Sequence, residues 1–91
     1  MERLDHAEVD RAIAGLDWRR DGDELVKVAT RSGFVGALAL VNAVGALAED
    51  ANHHPDIDIR WNTVTLRLTT HDAGGLTTKD VELARAIDAL S

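Results

Sequence analysis

The sequence predicts an α+β domain in which helices pack on one face of a four-stranded antiparallel sheet, in the order helix, hairpin, helix, hairpin, helix. Two pairs of segments alternate between apolar and polar residues, and a short turn joins each pair, which is typical of β-hairpins. Segments with helical spacing stand before, between and after these pairs. The chain has 91 residues, too few for a second independent core, so we expect one domain over residues 1–91.

The first helix and the first hairpin are predicted from capping and turn signals. Asp5 and Glu8 have the spacing of a capping box, which predicts a short helix over about 6–14. Strands are expected around 18–20 and 24–31, because the Asp-Gly dipeptide between them favours a tight turn. One face of this hairpin is apolar and has to be covered by helices.

The central segment predicts a helix from Ser32 to about Asn52 that is apolar on more than one face. Asn42 is the one polar residue in the run 33–48. A helix that is apolar nearly all round has to be covered on both sides, and a domain of this size offers one sheet. We therefore expect the helix around residues 33–51 to meet another copy of the chain. Close helix-to-sheet contact within one chain is the alternative, since the small residues of this helix would permit that as well.

The second hairpin and the last helix complete the predicted fold. Alternating apolar residues predict a strand on each side of a turn near Asn62. Thr77 and Asp80 have capping-box spacing and predict the start of the last helix. Trp18 and Trp61 are expected in the core, because large aromatic side chains are mostly buried.

Composition and charge exclude several classes of function. The chain has no Cys, which excludes disulfides, thiolate nucleophiles and Cys-based zinc sites and fits a reducing compartment. The 10 basic and 16 acidic residues give a net charge of −6, which argues against binding to nucleic acid or to a membrane surface. The longest apolar run is shorter than a membrane span, and no secretory signal is visible. We expect a cytoplasmic protein whose partner is a small molecule.

Three of the four histidines lie in the second half of the chain, and they form the most informative local pattern. His53 and His54 follow the long helix, and His71 follows the last strand. If the last hairpin packs back beside the helix, these imidazoles share one cleft. Imidazole donates or accepts a proton near neutral pH, so several of them in a cleft suit general acid-base catalysis.

Each of these residues also has a purely structural explanation. His53 and His54 would interact favourably with the negative end of a helix dipole, and His71 would be solvated on the polar face of its strand. Asp80 would be only the acidic member of a capping box, and Glu49 only a helix-surface partner of His53. A metal site is disfavoured, because adjacent histidines diverge and no helix carries histidines four residues apart.

Together these residues resemble a known signature. Five elements stand at the spacing of the pterin-4a-carbinolamine dehydratases: Glu49, His53-His54-Pro55, Trp61, His71 and Asp80. The segment from Thr70-His71 through Gly75-Leu76-Thr77 to Asp80 also resembles the corresponding segment of that family. The resemblance covers about residues 15–91.

The resemblance implies dehydration of a 4a-hydroxytetrahydropterin to quinonoid dihydropterin, the recycling step after an aromatic amino acid hydroxylase. It implies the same fold in a homodimer or homotetramer, with the pterin as substrate, no cofactor, and a pterin-dependent hydroxylase as a protein partner. The family's functional histidines correspond to His53, His54 and His71. Asp80 is implied as a supporting carboxylate, and Trp18 as an aromatic residue near the bound pterin.

The chemistry of this reaction requires a proton donor and a proton acceptor. Hydroxide leaves C4a poorly without a proton, and N5 must lose its proton for the quinonoid product to form. We expect His54 or His71 to protonate the leaving hydroxyl, the other of these two to accept the N5 proton, and His53 to orient the pterin. A non-catalytic assembly factor or protein-interaction partner is the alternative, because some dehydratase-like proteins have such roles. Proteins of that kind can lose the histidines, whereas this chain retains all three, which favours an enzyme.

Overall fold

The computed structural model describes residues 2–90 and confirms the predicted order of elements. The helices are α1 (His6–Ala12), α2 (Gly33–Ala51) and α3 (Thr78–Asp88), with a short 3-10 helix at His71–Ala73. The strands are β1 (Arg19–Asp21), β2 (Glu24–Thr30), β3 (Asp56–Arg60) and β4 (Thr63–Leu68). All neighbouring strands are antiparallel, in the spatial order β1-β2-β4-β3.

The sheet has one apolar face, and the core lies between that face and the helices. Directly paired residues lie on the same face of an antiparallel sheet. Leu25 of β2 pairs with Leu68 of β4, and both are fully buried. Val28 pairs with Thr65 on the opposite face, where Val28 is 54% exposed. α2 packs against α3 and β4, so the helices cover one side of the sheet and leave the other open.

The hairpin turns differ in detail from the prediction. The first loop is Gly22-Asp23, one residue later than the Asp-Gly dipeptide, and Gly22 has the left-handed φ of 61° that such short loops favour. The second loop is Trp61-Asn62, where Trp61 has φ 55° and is 69% exposed. The expectation that Trp61 lies in the core is therefore wrong, because a loop residue leaves the strand alternation. Trp18 is buried, as predicted.

α2 buries one face and exposes the other within a single copy of the chain. Its buried residues lie at helical spacing: Ala37, Leu40, Val44 and Ala48. Phe34, Val35 and Leu38 are exposed on the other side, in accord with the predicted second apolar face. With 19 residues and a mean hydropathy of 1.5, α2 is long and apolar enough to cross a membrane. Its packing on β4 and α3 accounts for the buried face of the helix, whereas 22% burial of the apolar window leaves the exposed apolar face without contacts in one copy.

A buried lysine ties the end of α3 to the sheet. Lys27 lies on the inward face of β2 and is 8% exposed, and its ammonium donates hydrogen bonds to Asp88 (2.8 Å) and Asp17 (3.1 Å). The indole of Trp18 and the backbone N–H of Asp17 also donate to the Asp88 carboxylate, at 2.9 and 2.7 Å. Burial alone would raise the pKa of Asp88, but these hydrogen bonds and the Lys27 charge hold the pKa below its usual value.

Replacing Asp88 by Asn should lower the free energy of unfolding at pH 7 by about 2–3 kcal/mol, because the buried Lys27 ammonium loses its inner partner. The Asp88 carboxylate has a lower pKa in the folded state, so its contribution is present above the unfolded pKa of about 3.9 and is lost as the pH falls through the folded pKa. The difference in the free energy of unfolding between the unchanged protein and the Asp88→Asn variant should therefore become smaller as the pH falls from 7 to 3.

Urea unfolding at fixed protein concentration across that pH range measures this difference. Asp10→Asn is the control, because Asp10 pairs with Arg20 on the surface, where solvent screens the interaction. A difference for Asp88→Asn that stays constant with pH would show that the lowered pKa of Asp88 does not stabilise the fold.

Candidate active site

The end of α2 positions His53. Asn52 adopts a left-handed conformation (φ 50°, ψ 44°), which asparagine tolerates better than most residues. The backbone N–H groups of Asn52 and His53 donate to the carbonyls of Glu49 (3.2 Å) and Ala48 (3.1 Å). This is the hydrogen-bond pattern of a Schellman motif. It reverses the chain just after the helix, so His53 and His54 have different partners.

The carboxylate of Asp80 meets His53 from the start of α3. Asp80 is fully buried, and its Oδ1 lies 2.5 Å from His53 Nε2. Its Oδ2 accepts hydrogen bonds from the Thr77 N–H (2.9 Å) and the Thr70 hydroxyl (2.8 Å). Asp80 is therefore both the acidic member of the capping box and the partner of an imidazole, with one oxygen for each task.

The direction of the hydrogen bonds around Asp80 determines which nitrogen of His53 carries the proton. An ionised carboxylate only accepts, so Thr70 donates to Asp80, and Thr77 donates in turn to Thr70 across 2.9 Å. By the same rule Nε2 of His53 must donate to Asp80. In the neutral ring Nδ1 then holds the lone pair. Nδ1 has no hydrogen-bond partner within residues 2–90, where no buried polar side-chain atom lacks one, so this atom is open to solvent.

His71 lies in a tight loop next to this network. The backbones of Thr70 and Gly75 pair with each other (3.1 and 3.4 Å), which closes a loop around the 3-10 helix. Gly74 ends that helix with φ 71°, a conformation that favours glycine. The imidazole of His71 is exposed at the first position of the 3-10 helix, beyond the end of β4.

The three predicted histidines line one cavity of about 340 Å³, within the usual range for small-ligand sites. Its remaining lining residues come from the same three loops and helix ends: Asn52, Thr69, Thr70, Asp72 and Lys79. The structure therefore brings His53, His54 and His71 together.

Two of the sequence-based expectations do not match the geometry. Glu49 pairs with His54, on the exposed surface, and not with His53, because the reversal at Asn52 turns His53 toward α3. Trp18 does not line the histidine cavity. Its indole is bonded to Asp88 at the opposite end of α3 from Asp80, so one copy of the chain does not bring Trp18 to the histidines.

Sequence analysis missed Thr70 and Lys79 as parts of this site. Thr70 has the parity of the buried apolar residues of β4, so a polar side chain at this inward position beside His71 was the available signal. Lys79 lies in the first turn of α3 beside Asp80, where the sequence predicts only an ordinary surface residue. Within residues 2–90 no group of three or more His, Cys, Asp or Glu side chains has the geometry to hold a metal ion.

Comparison with known proteins gives one family. Residues 2–90 match the family described as pterin 4 alpha carbinolamine dehydratase. A protein of Nocardia farcinica with the provisional name pterin-4-alpha-carbinolamine dehydratase is 50% identical over 91 residues, covering 99% of this chain and 96% of that protein. A protein of Roseiflexus sp. with the same provisional name is 53% identical over 89 residues, covering 97% of this chain and 96% of that protein.

Two solved structures resemble the fold over most of its length. A transcriptional coactivator/pterin dehydratase from Brucella melitensis has a TM-score of 0.91 at 26% identity, covering 98% of both chains. A pterin dehydratase-like protein identified as a RuBisCO assembly factor in the alpha-carboxysome has a TM-score of 0.68 at 26% identity. That second match covers 81% of this chain and 88% of the other.

Replacing Asp80 by Asn should reverse the tautomer of His53. The Thr77 N–H and the Thr70 hydroxyl both require an acceptor. The amide oxygen should therefore accept these two hydrogen bonds, which turns the amide NH₂ toward Nε2 of His53. Nε2 then has to accept, and the proton moves to Nδ1. Nitrogen-15 NMR shifts of the imidazole ring distinguish the two forms.

Asp72→Asn is the matched control, because Asp72 lines the same cavity but has no bond to His53 in the described part of the chain. It should leave the His53 shifts in place. An unchanged His53 tautomer in a folded Asp80→Asn protein would contradict the hydrogen-bond directions assigned above.

Proposed function

Because the chain belongs to the pterin 4 alpha carbinolamine dehydratase family, we propose that it removes water from a 4a-hydroxytetrahydropterin to give quinonoid dihydropterin. The observation that carries this proposal is the cavity in which His53, His54 and His71 meet, with a buried carboxylate behind one of them. The pterin is the substrate, and the reaction is an elimination that requires no electron donor or acceptor.

The elimination needs one proton delivered and one removed. The C4a–O bond breaks as the hydroxyl gains a proton and leaves as water, and N5 then loses its proton to complete the N5–C4a double bond. The number of protons on the protein is unchanged over the whole reaction. A donor and an acceptor must therefore face the same substrate from the same cavity.

The hydrogen bond to Asp80 favours His53 as the proton acceptor. Its Nδ1 carries a lone pair, and the imidazolium formed when Nδ1 takes the N5 proton is stabilised by the adjacent carboxylate. This assignment goes further than the expectation from sequence, in which His53 only orients the pterin. His54 or His71 then supplies the proton to the leaving hydroxyl, since both line the cavity and both are exposed to solvent that can reprotonate them.

This activity would be one step in recycling the pterin cofactor of an aromatic amino acid hydroxylase, and a separate reductase would convert the quinonoid dihydropterin to the tetrahydropterin. The hydroxylase reaction leaves a hydroxyl group on C4a, and its next turnover requires that group to be removed. We place this step in the cytoplasm, in keeping with a chain that has no cysteine.

A role in assembly is the second candidate function. The relative identified as a RuBisCO assembly factor has the same kind of fold, and the exposed apolar face of α2 offers a surface for a protein partner. Such a role requires no imidazole in the histidine cavity. Substitution of the histidines therefore separates the two functions.

His53→Ala should lower turnover by about 10²–10⁴, the usual contribution of a general acid or base, and at least one of His54→Ala and His71→Ala should lower it by a similar factor. The assay follows the decay of a 4a-hydroxypterin, generated by a pterin-dependent hydroxylase, in the ultraviolet. Circular dichroism confirms that each variant is folded.

His6→Ala is the control, because His6 lies outside the histidine cavity and pairs with Asp23 on the surface. Turnover should be unchanged in this variant. If a folded unchanged protein does not accelerate the decay, the dehydratase proposal is wrong. If it does, and the histidine variants remain fully active, the assignment of the proton transfers to these histidines is wrong.

We also propose that the chain forms a homodimer or homotetramer through α2. Val35 is 80% exposed, and Phe34 and Leu38 are 44% and 40% exposed on the same helix. Contiguous apolar surface of this kind on a small domain usually marks an interface.

Val35→Glu should shift the protein toward monomer, because the interface would bury an unpaired carboxylate. Sedimentation velocity at several protein concentrations measures the species present. Val28→Glu is the control, since Val28 is exposed on the open face of the sheet, away from α2. A monomer in the unchanged protein at all concentrations would contradict the proposal.

A further inference from the structure

The segment just before α1 crosses one side of the loop 70–75, which we call the histidine loop. Arg3 and Leu4 make the contacts, and we call these two residues the strap. The backbone N–H of Leu4 donates to the carbonyl of Leu76, directly after the loop, at 2.8 Å. The guanidinium of Arg3 donates to the carbonyl of Gly74, inside the loop, at 3.3 Å. The strap therefore contacts the return half of the loop, which follows the 3-10 helix.

The side chain of Arg3 lies across the backbone of Gly75. A Cβ atom on Gly75 would be 2.5 Å from Cδ and 3.1 Å from Cγ of Arg3, so a larger residue there would displace the arginine. Gly75 does not have a positive φ, unlike Gly74. Its lack of a side chain is therefore needed for the close approach of Arg3 and not for an unusual backbone conformation.

The two halves of the histidine loop are attached to the fold by different contacts. The first half is fixed through Thr70, whose hydroxyl donates to Asp80 at 2.8 Å. The return half contains Gly74-Gly75, and glycine loses more conformational freedom on ordering than any other residue. The backbone hydrogen bonds between Thr70 and Gly75 close the loop on itself. The strap adds a separate attachment of the return half, next to the capping box that starts α1.

His71 depends on its backbone for its position more than the other two cavity histidines do. The imidazoles of His53 and His54 are held by carboxylates. Within residues 2–90 the imidazole of His71 has no hydrogen-bond partner. The carbonyl of His71 accepts from the N–H of Gly74 at 3.0 Å, and the carbonyl of Gly74 accepts from Arg3. One residue therefore links Arg3 to His71.

We infer that the strap positions His71 in the histidine cavity by holding the return half of its loop. Arg3 is then a positioning residue for the proton transfer that His71 performs, although it does not line the cavity. This inference rests on the proposed dehydratase reaction, in which His71 is one of the two candidate donors to the leaving hydroxyl.

Replacing Arg3 tests the inference in the 4a-hydroxypterin decay assay. Arg3 is exposed, so Arg3→Ala should leave the urea midpoint unchanged. It should lower kcat by about fivefold with little change in KM, because a displaced imidazole transfers its proton less well while the substrate still binds. Arg3→Lys keeps a long stem with a charged donor and should retain most of kcat. Arg11→Ala is the matched control, because Arg11 is an exposed arginine in the last turn of α1, and it should leave kcat unchanged.

A double substitution tests whether Arg3 acts through His71. In a His71→Ala background, measured at raised enzyme concentration, Arg3→Ala should have no further effect on kcat, because no imidazole remains to be positioned. Gly75→Ala should reproduce the loss seen in Arg3→Ala, since its methyl group requires the space of the Arg3 stem. Without substrate, the amide of Gly74 should exchange its hydrogen faster in both single variants than in the unchanged protein.

The outcomes separate this inference from the proposed function. If the unchanged protein does not accelerate the decay, the dehydratase proposal fails, and this inference fails with it. If the unchanged protein is active and His71→Ala is equally active, the strap positions no reacting group, and only this inference is wrong. Full kcat in Arg3→Ala, or an equal loss in the two backgrounds, also contradicts it. A loss that Arg3→Lys restores and that is absent in the His71→Ala background supports it.

Discussion

The rest of the site depends on the fully buried carboxylate of Asp80. Removing a carboxylate from water is costly, and it is tolerated where hydrogen bonds replace the lost solvation. Thr77 and Thr70 supply such bonds to one oxygen, and His53 supplies one to the other. The hydrogen bonds from Thr77 and Thr70 cap the start of α3, hold the loop that carries His71 against α3 and fix the position of Asp80. His53 is oriented because it completes the solvation of that same carboxylate.

α3 is held at its two ends by carboxylates in different environments. Asp80 lies in its first turn, among two hydroxyls, a backbone N–H and an imidazole. Asp88 lies in its last turn, among the Lys27 ammonium, the Trp18 indole and a backbone N–H. The imidazole at the first end lines the histidine cavity, whereas the ammonium at the second lies on the buried face of the sheet. The same type of anchor therefore shapes the candidate site at one end of the helix and ties the helix to the sheet at the other.

The alternation of side chains and the capping signals were enough to predict the elements and their order. The side chains of β4 alternate between buried and partly buried with period two, and the helix caps at Asp5 and Thr77 depend on neighbouring residues. Both features could therefore be predicted from a few positions of the sequence. The convergence of His53, His54 and His71 followed from placing the helix end beside the strand end. The resemblance to a family then gave these residues a reaction, which their spacing alone did not.

Other features depended on backbone conformations and contacts that no local pattern encodes. The left-handed Asn52 decides which histidine meets Asp80 and which meets Glu49, although helical spacing suggested the opposite pairing for Glu49. Trp61 became exposed because it occupies a turn with positive φ.

Asp80 links the start of α3 to the geometry of the candidate site, because its hydrogen bonds serve both. The Asp80 carboxylate caps α3 by accepting a hydrogen bond, and an ionised carboxylate can only accept. His53 Nε2 must therefore carry the proton in its hydrogen bond to Asp80. In the neutral ring Nδ1 then carries no proton, and no further group is needed to select this tautomer. A substitution that kept the cap but lost the negative charge would preserve the helix and leave Nδ1 protonated, so that Nδ1 could not accept a proton in the proposed reaction. The carboxylate that caps the start of α3 therefore also determines which nitrogen of His53 carries the proton.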